Sequence, residues 1–118
     1  KGNVAAMNGL GKINEWLGDY ITASEWYEKA IIKGSDVWGM TNLADLYAKG
    51  RGVEKDYVLA YAWYTVAMER GNEEQKASAK KGRDGLHGIF FGISIEEEKE
   101  AEELAESYRE GQLLERKR

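Results

Sequence analysis

Apolar and polar positions alternate along this chain with the spacing of one helical face. Tyr20, Ala23, Tyr27, Ala30 and Ile31 fall on one side of a helix of about 3.6 residues per turn, with Trp26 beside them. The small alanines allow a neighbouring helix to come close, and the aromatics fill the space between. The pattern then returns. Asp19-Tyr20-Ile21-Thr22-Ala23 through Trp26-Tyr27 to Ala30 and Asp56-Tyr57-Val58-Leu59-Ala60 through Trp63-Tyr64 to Ala67 share the frame D-Y-x-x-A-x-x-W-Y-x-x-A, offset by 37 (19 to 56). Each copy closes four residues later on a glycine, Gly34 and Gly71, which suits a left-handed helix end. A fixed period of this size predicts a repeat architecture, in which one unit cannot bury its apolar face alone.

Six helices follow from the same reading. The first runs from Asn3 to about Trp16, with Val4, Met7, Leu10, Gly11 and Ile13 as its packing stripe. Gly9 and Gly11 each cost about 1 kcal/mol against alanine in a helix interior; close approach of the paired helix accounts for Gly11. The second spans Tyr20 to Lys33 and the third about Val37 to Lys49, with Met40, Leu43, Ala44, Leu46 and Tyr47 apolar. The fourth runs from Tyr57 to Arg70. Asp19, Asp36 and Asp56 stand where a side-chain oxygen caps a helix start. Asn72-Glu73-Glu74 starts a fifth helix ending near Arg83. Ser94-Ile95-Glu96-Glu97 is a capping-box signature for a last helix to about Leu114. Its acidic start and basic end favour the helix dipole. Its narrow stripe of Ala101, Leu104, Ala105 and Tyr108 suits a capping helix, with one side on the stack and one in water.

Leu10-Gly11, Gly18-Asp19-Tyr20, Ala23, Tyr27 and Ala30 resemble a tetratricopeptide repeat, departing from it at Asn14, where that family prefers tyrosine. Leu43-Ala44, Leu46-Tyr47, Gly50-Arg51-Gly52-Val53, Asp56, Ala60, Trp63-Tyr64, Ala67 and Gly71 resemble the related Sel-one-like repeat, in which a G-x-G-V turn separates the two helices. Consistent with that turn, Leu43 to Ala60 spans 17 residues where Leu10 to Ala23 spans 13. The resemblance covers residues 3 to 71. It implies an all-α, right-handed α-solenoid of stacked antiparallel helix pairs, with first helices lining a concave surface that holds a partner. One helical repeat domain is expected over 1–118: repeat one at 3–34, repeat two at 35–71, and a degenerate helix, loop and capping helix at 72–118. Lys1-Gly2 reads like the end of an earlier helix, so a piece of a longer protein is expected.

Composition narrows the function. The 118 residues are 42% hydrophobic and 11% aromatic, enough to fill a core. The absence of proline leaves long helices unobstructed. The absence of cysteine excludes disulfides and thiolate metal sites, and leaves the compartment open between cytoplasm and bacterial periplasm. A net charge of −4, with no basic block before Arg116-Lys117-Arg118, argues against nucleic acid as the partner. No run of 18 apolar residues is present for a membrane span.

Chemistry is sparse. His87, the one histidine, has no motif around it, and no serine sits in a G-x-S-x-G setting. The run Glu96 to Glu103 lacks the spacing of a calcium loop and reads as a solvated face. Gly85 to Gly92 lacks the G-K-[ST] of a phosphate cradle. Phe90-Phe91 reads as a plug between helices rather than an exposed hook. No catalytic residue, metal or cofactor is expected. The expected function is a protein–protein interaction scaffold that binds a peptide or partner helix through Asn8, Lys12, Trp38, Asn42, Asp45 and Lys49 on the first helices. Trp38 reads equally as an interface anchor and as packing for a preceding repeat. The alternatives are an accessory helical domain of a bacterial hydrolase and a passive spacer in a longer solenoid.

Overall fold

The computed structural model describes residues 3–88 and 92–116. Its elements are helices throughout the described residues: α1 (Val4–Trp16), α2 (Tyr20–Gly34), α3 (Val37–Lys49), α4 (Tyr57–Arg70), α5 (Glu73–Asp84) and α6 (Ile95–Glu106). Each begins at a short polar side chain that accepts from an amide in the first turn. Asn3, Asp19, Asp36 and Asp56 cap α1 to α4. Asn72 with Gln75, and Ser94 with Glu97, form full capping boxes on α5 and α6. Such a cap is worth about 1 kcal/mol, and six of them fix where the chain turns.

The helices stack as an all-α solenoid of antiparallel pairs. α1 packs on α2, α3 on α4, and α2 on α3. α4 then carries both α5 and α6, so it is buried nearly all round. The core centres on Tyr27, Ile31, Met40, Leu43, Leu46, Trp63 and Tyr64, each at most 2% exposed. The loop between α3 and α4 folds over the start of α2. Gly52 has φ +73, and a Cβ there would run into the Tyr20 carbonyl; Arg51 lies over the Tyr20 ring at 5.2 Å.

Three expectations are corrected. The glycines that close the repeated frame are not left-handed ends: Gly34 is the last residue of α2, Ser35 takes the left-handed conformation (φ 50), and Gly71 is extended (φ −89). Both glycines make room instead. A Cβ on Gly34 would sit 2.7 Å from Val4, and one on Gly71 would sit 2.8 Å from Gln75 and 3.2 Å from Val37. The α1 stripe is only partly buried: Gly11 is enclosed, but Leu10 and Ile13 are exposed. Finally, α6 stops at Glu106 rather than Leu114.

The chain leaves the α6 axis because its next side chains have partners elsewhere. Ser107 Oγ donates to the Leu104 carbonyl, and Tyr108 donates to Ser35 Oγ at 2.9 Å while packing edge-on against Trp63. Leu114 is buried, and Arg116 donates to both carboxylate oxygens of Asp56 at 3.0 Å and to Glu100. The basic end that reads as helix-dipole complement is, at Arg116, a tie between the start of α4 and α6. Phe90-Phe91 lies outside the described residues.

Candidate functional site

The first helices of the pairs, α1 and α3, and the next helix in line, α5, are joined side by side. Asn42 Nδ2 donates to Asn8 Oδ1 at 2.9 Å, which closes the gap between α1 and α3. Asn42 is buried in doing so. These two lie five and six residues past their helix caps, Asn3 and Asp36. The residues at the same places on the α3 and α5 sides of the next gap are Thr41, five past Asp36, and Ser78, six past Asn72. Both are too short to bridge as the asparagines do.

An opening of about 480 Å³ results, lined among others by Thr41, Asp45, Lys49, Tyr57, Ser78 and Lys81. Among the described residues, Thr41 Oγ1 is the buried side-chain polar atom without a hydrogen-bond partner. That oxygen is closed off from solvent beneath the groove, so the polar side chains open to a bound molecule are those of the rim, Asp45, Lys49, Ser78 and Lys81.

Acidic residues on the first helices hold tyrosines of the second helices. Tyr27 donates to Glu15 at 2.5 Å, and Tyr64 donates to Asp45. Burial, reinforced by these carboxylates, pushes both phenols far above the ordinary tyrosine range, so they act as neutral struts rather than acids. The glycines facing them complete the fit. A Cβ on Gly11 would enter the Tyr27 ring, and one on Gly82 would enter the Tyr64 ring. Burial also pushes the Asp45 carboxyl up, against the lowering effect of the Tyr64 bond and of Lys49 and Lys12 nearby.

The six residues singled out in the sequence therefore divide. Asp45 and Lys49 line the groove together, and Lys12 belongs to their electrostatic neighbourhood. Lys12 also lines a second opening with Ile13, Trp16, Tyr20 and Arg51. Asn8 and Asn42 are bonded to each other. Trp38 is partly buried on the first turn of α3. Thr41, a non-core position of the first helix, lies outside the six, and Tyr57, Ser78 and Lys81 were not singled out in the sequence. The signal for Thr41 and Ser78 was positional: each repeats, relative to its helix cap, the place of an asparagine.

Among the described residues, His87 stands away from this groove. His87 is exposed, with Nε2 2.6 Å from Glu98 and its ring edge-on to Tyr61. Neither partner is a serine or threonine nucleophile. No group of three or more histidine, cysteine, aspartate or glutamate side chains that could hold a metal occurs among the described residues. No helix among them is long and apolar enough to cross a membrane.

Stacked helix pairs with a repeated small-and-aromatic frame define an α-helical repeat protein. Within that class the chain belongs to the Sel1 repeat family, whose model matches residues 3–35 and 39–72, together more than half of the chain. Searches of curated proteins and of solved structures give no match. Sel1 repeats are generally protein–protein interaction modules and typically non-catalytic scaffolds.

Proposed function

We propose that this chain is an interaction scaffold that holds an extended peptide or a partner helix along its first helices, with the groove between α3 and α5 at the centre. The carrying observation is the opening between α3 and α5 rimmed by Asp45, Lys49, Ser78 and Lys81. A peptide backbone brings carbonyls and amides that these polar side chains can meet. The rim offers charges of both signs, which suits a polar chain better than a greasy small molecule.

Asp45 and Lys49 are the direct contacts in this reading, with Lys12 extending the charged rim. Trp38 is the apolar anchor, since aromatics dominate interface energetics. Asn8 and Asn42 act by position, holding α1 and α3 at fixed spacing.

The test is a displayed library of short peptides selected against the whole chain. Titration of a selected peptide against Lys49→Ala, Trp38→Ala and Lys12→Ala follows, after each variant is shown to fold. Trp38→Ala should weaken binding by about tenfold or more, with little change in salt dependence. Lys49→Ala should weaken it with a smaller salt dependence than wild type, and Lys12→Ala should weaken it less. Wild-type affinity in both Trp38→Ala and Lys49→Ala moves the site off this face.

A further inference from the structure

A second opening, of about 490 Å³, lies where the end of α1, the start of α2 and the α3–α4 loop meet. It is the repeat-one counterpart of the groove beside α3. Lys12 and Asp45 stand nine residues past their helix caps (3 to 12, 36 to 45), and Trp16 and Lys49 thirteen past theirs (3 to 16, 36 to 49). Tyr20 and Tyr57 each follow the cap of a second helix. The places match and the chemistry does not. Where the groove has an acid and an ammonium, this cleft has an ammonium and an indole.

The walls of the cleft are fixed by contacts behind them. Gly50 and Gly52 take positive φ (+67 and +73), and Gly52 presses on the Tyr20 carbonyl, so Arg51 between them lies over the Tyr20 ring at 5.2 Å. Glu15, the acid in the lining, already accepts from the buried Tyr27 hydroxyl. Among the described residues, neither Lys12 nor Arg51 forms an ion pair. Trp16 is 86% exposed and Ile13 55%. Uncommitted cations thus stand beside bare apolar surface.

Trp, Tyr and Arg are the side chains that dominate protein interfaces, and one of each lines this cleft. We propose that the cleft binds an acidic peptide segment carrying an aromatic side chain. The aromatic ring packs on Trp16 and Ile13, and the carboxylates beside it meet Arg51 and Lys12. The guanidinium fork suits a carboxylate, which it takes in two parallel hydrogen bonds. This rests on the reading of the chain as an interaction scaffold, and gives it a separate site with its own ligand. Single-stranded nucleic acid also stacks on aromatics among cations, but it needs a basic groove that tracks its backbone. Two cations in the lining, on a chain of net charge −4, supply no such track.

The probe is a capped pentapeptide with phenylalanine at its centre and two glutamates on each side, titrated against the whole isotope-labelled chain. The readout is the indole N–H resonance of Trp16, identified by its loss in Trp16→Phe. That signal should shift saturably. Arg51→Gln should weaken binding at least about fivefold and Lys12→Gln at least about twofold, both read alongside the rest of the spectrum, which reports folding. Alanine in place of the central phenylalanine should also weaken binding at least about fivefold. Lys49→Ala should leave the titration unchanged. Loss of binding in Lys49→Ala puts the peptide in the groove between α3 and α5, so that this proposal fails while the groove reading stands. A thymidine octamer that shifts the Trp16 signal more strongly than the peptide overturns the proposal, because the occupant would then be single-stranded nucleic acid. No saturable shift at millimolar peptide overturns it, as does an equal response to the same peptide with lysines in place of the glutamates.

Discussion

The α1–α2 and α3–α4 pairs carry one frame and meet different surroundings. Trp26 and Trp63 occupy the same place in that frame, yet Trp26 is partly buried under Lys29, while Trp63 is 1% exposed and packs against Tyr108. Leu10 and Leu43 occupy the same place on the first helices and differ as much. The cause is the number of neighbours. α4 packs against α3, α5 and α6, whereas α1 has α2 along one side and a single asparagine bridge to α3. In a repeat stack, the frame sets which residues can pack, and the adjoining helices decide which of them do.

The sharpest break in the comparison is expected at the tryptophans. Trp63→Ala should cost about 3–5 kcal/mol, a large part of a domain stability of about 5–15 kcal/mol. Trp26→Ala should cost well under half of that, because its ring already meets solvent. Urea unfolding of the two variants checks this, and equal losses would mean that both pairs are packed alike.

A smaller effect separates two glycines of α1. A Cβ on Gly9 meets nothing within 4 Å, whereas one on Gly11 enters the Tyr27 ring. Gly9→Ala should therefore stabilise by about 0.5–1 kcal/mol through helix propensity. Gly11→Ala should destabilise by about 1–3 kcal/mol through overpacking. Thermal melts of the two should move in opposite directions; a shared sign would show that α1 and α2 are not in close contact.

The mildest effect concerns the groove. Burial raises the Asp45 carboxyl pKa above its unfolded value. The folded chain therefore holds that proton more tightly, and stability falls as pH rises from about 4 through the folded-state value. Asp45→Asn can still accept from Tyr64 but has no proton to lose. Its stability should decline less than that of the wild type over this interval. Parallel curves would place Asp45 in water.

Much of this was legible in the chain. The caps at Asp19, Asp36, Asp56, Asn72 and Ser94, and the starts they set, follow from local side-chain chemistry, which a sequence displays directly. The role of Gly11 as a contact glycine was legible for the same reason. What could not be read depended on distant partners. Gly34 and Gly71 look like helix terminators until Val4, Val37 and Gln75 are seen beside them. The end of α6 is set by Ser35, Trp63 and Asp56, which lie far away in sequence from Tyr108 and Arg116. In the candidate groove, Asp45, Lys49 and Thr41 could be read as non-core positions of the first helix. Ser78 could not, because a short side chain matters there only through the gap it leaves.

The most direct test of the account is the matched pair Leu10→Ala and Leu43→Ala, measured by urea unfolding of the whole chain. Both remove the same atoms from equivalent places in the two first helices. Leu43→Ala should cost about 2–5 kcal/mol, and Leu10→Ala should stay within about 0.5 kcal/mol of wild type. Equal costs would contradict the claim that neighbouring helices, rather than the repeated frame, decide burial in this stack.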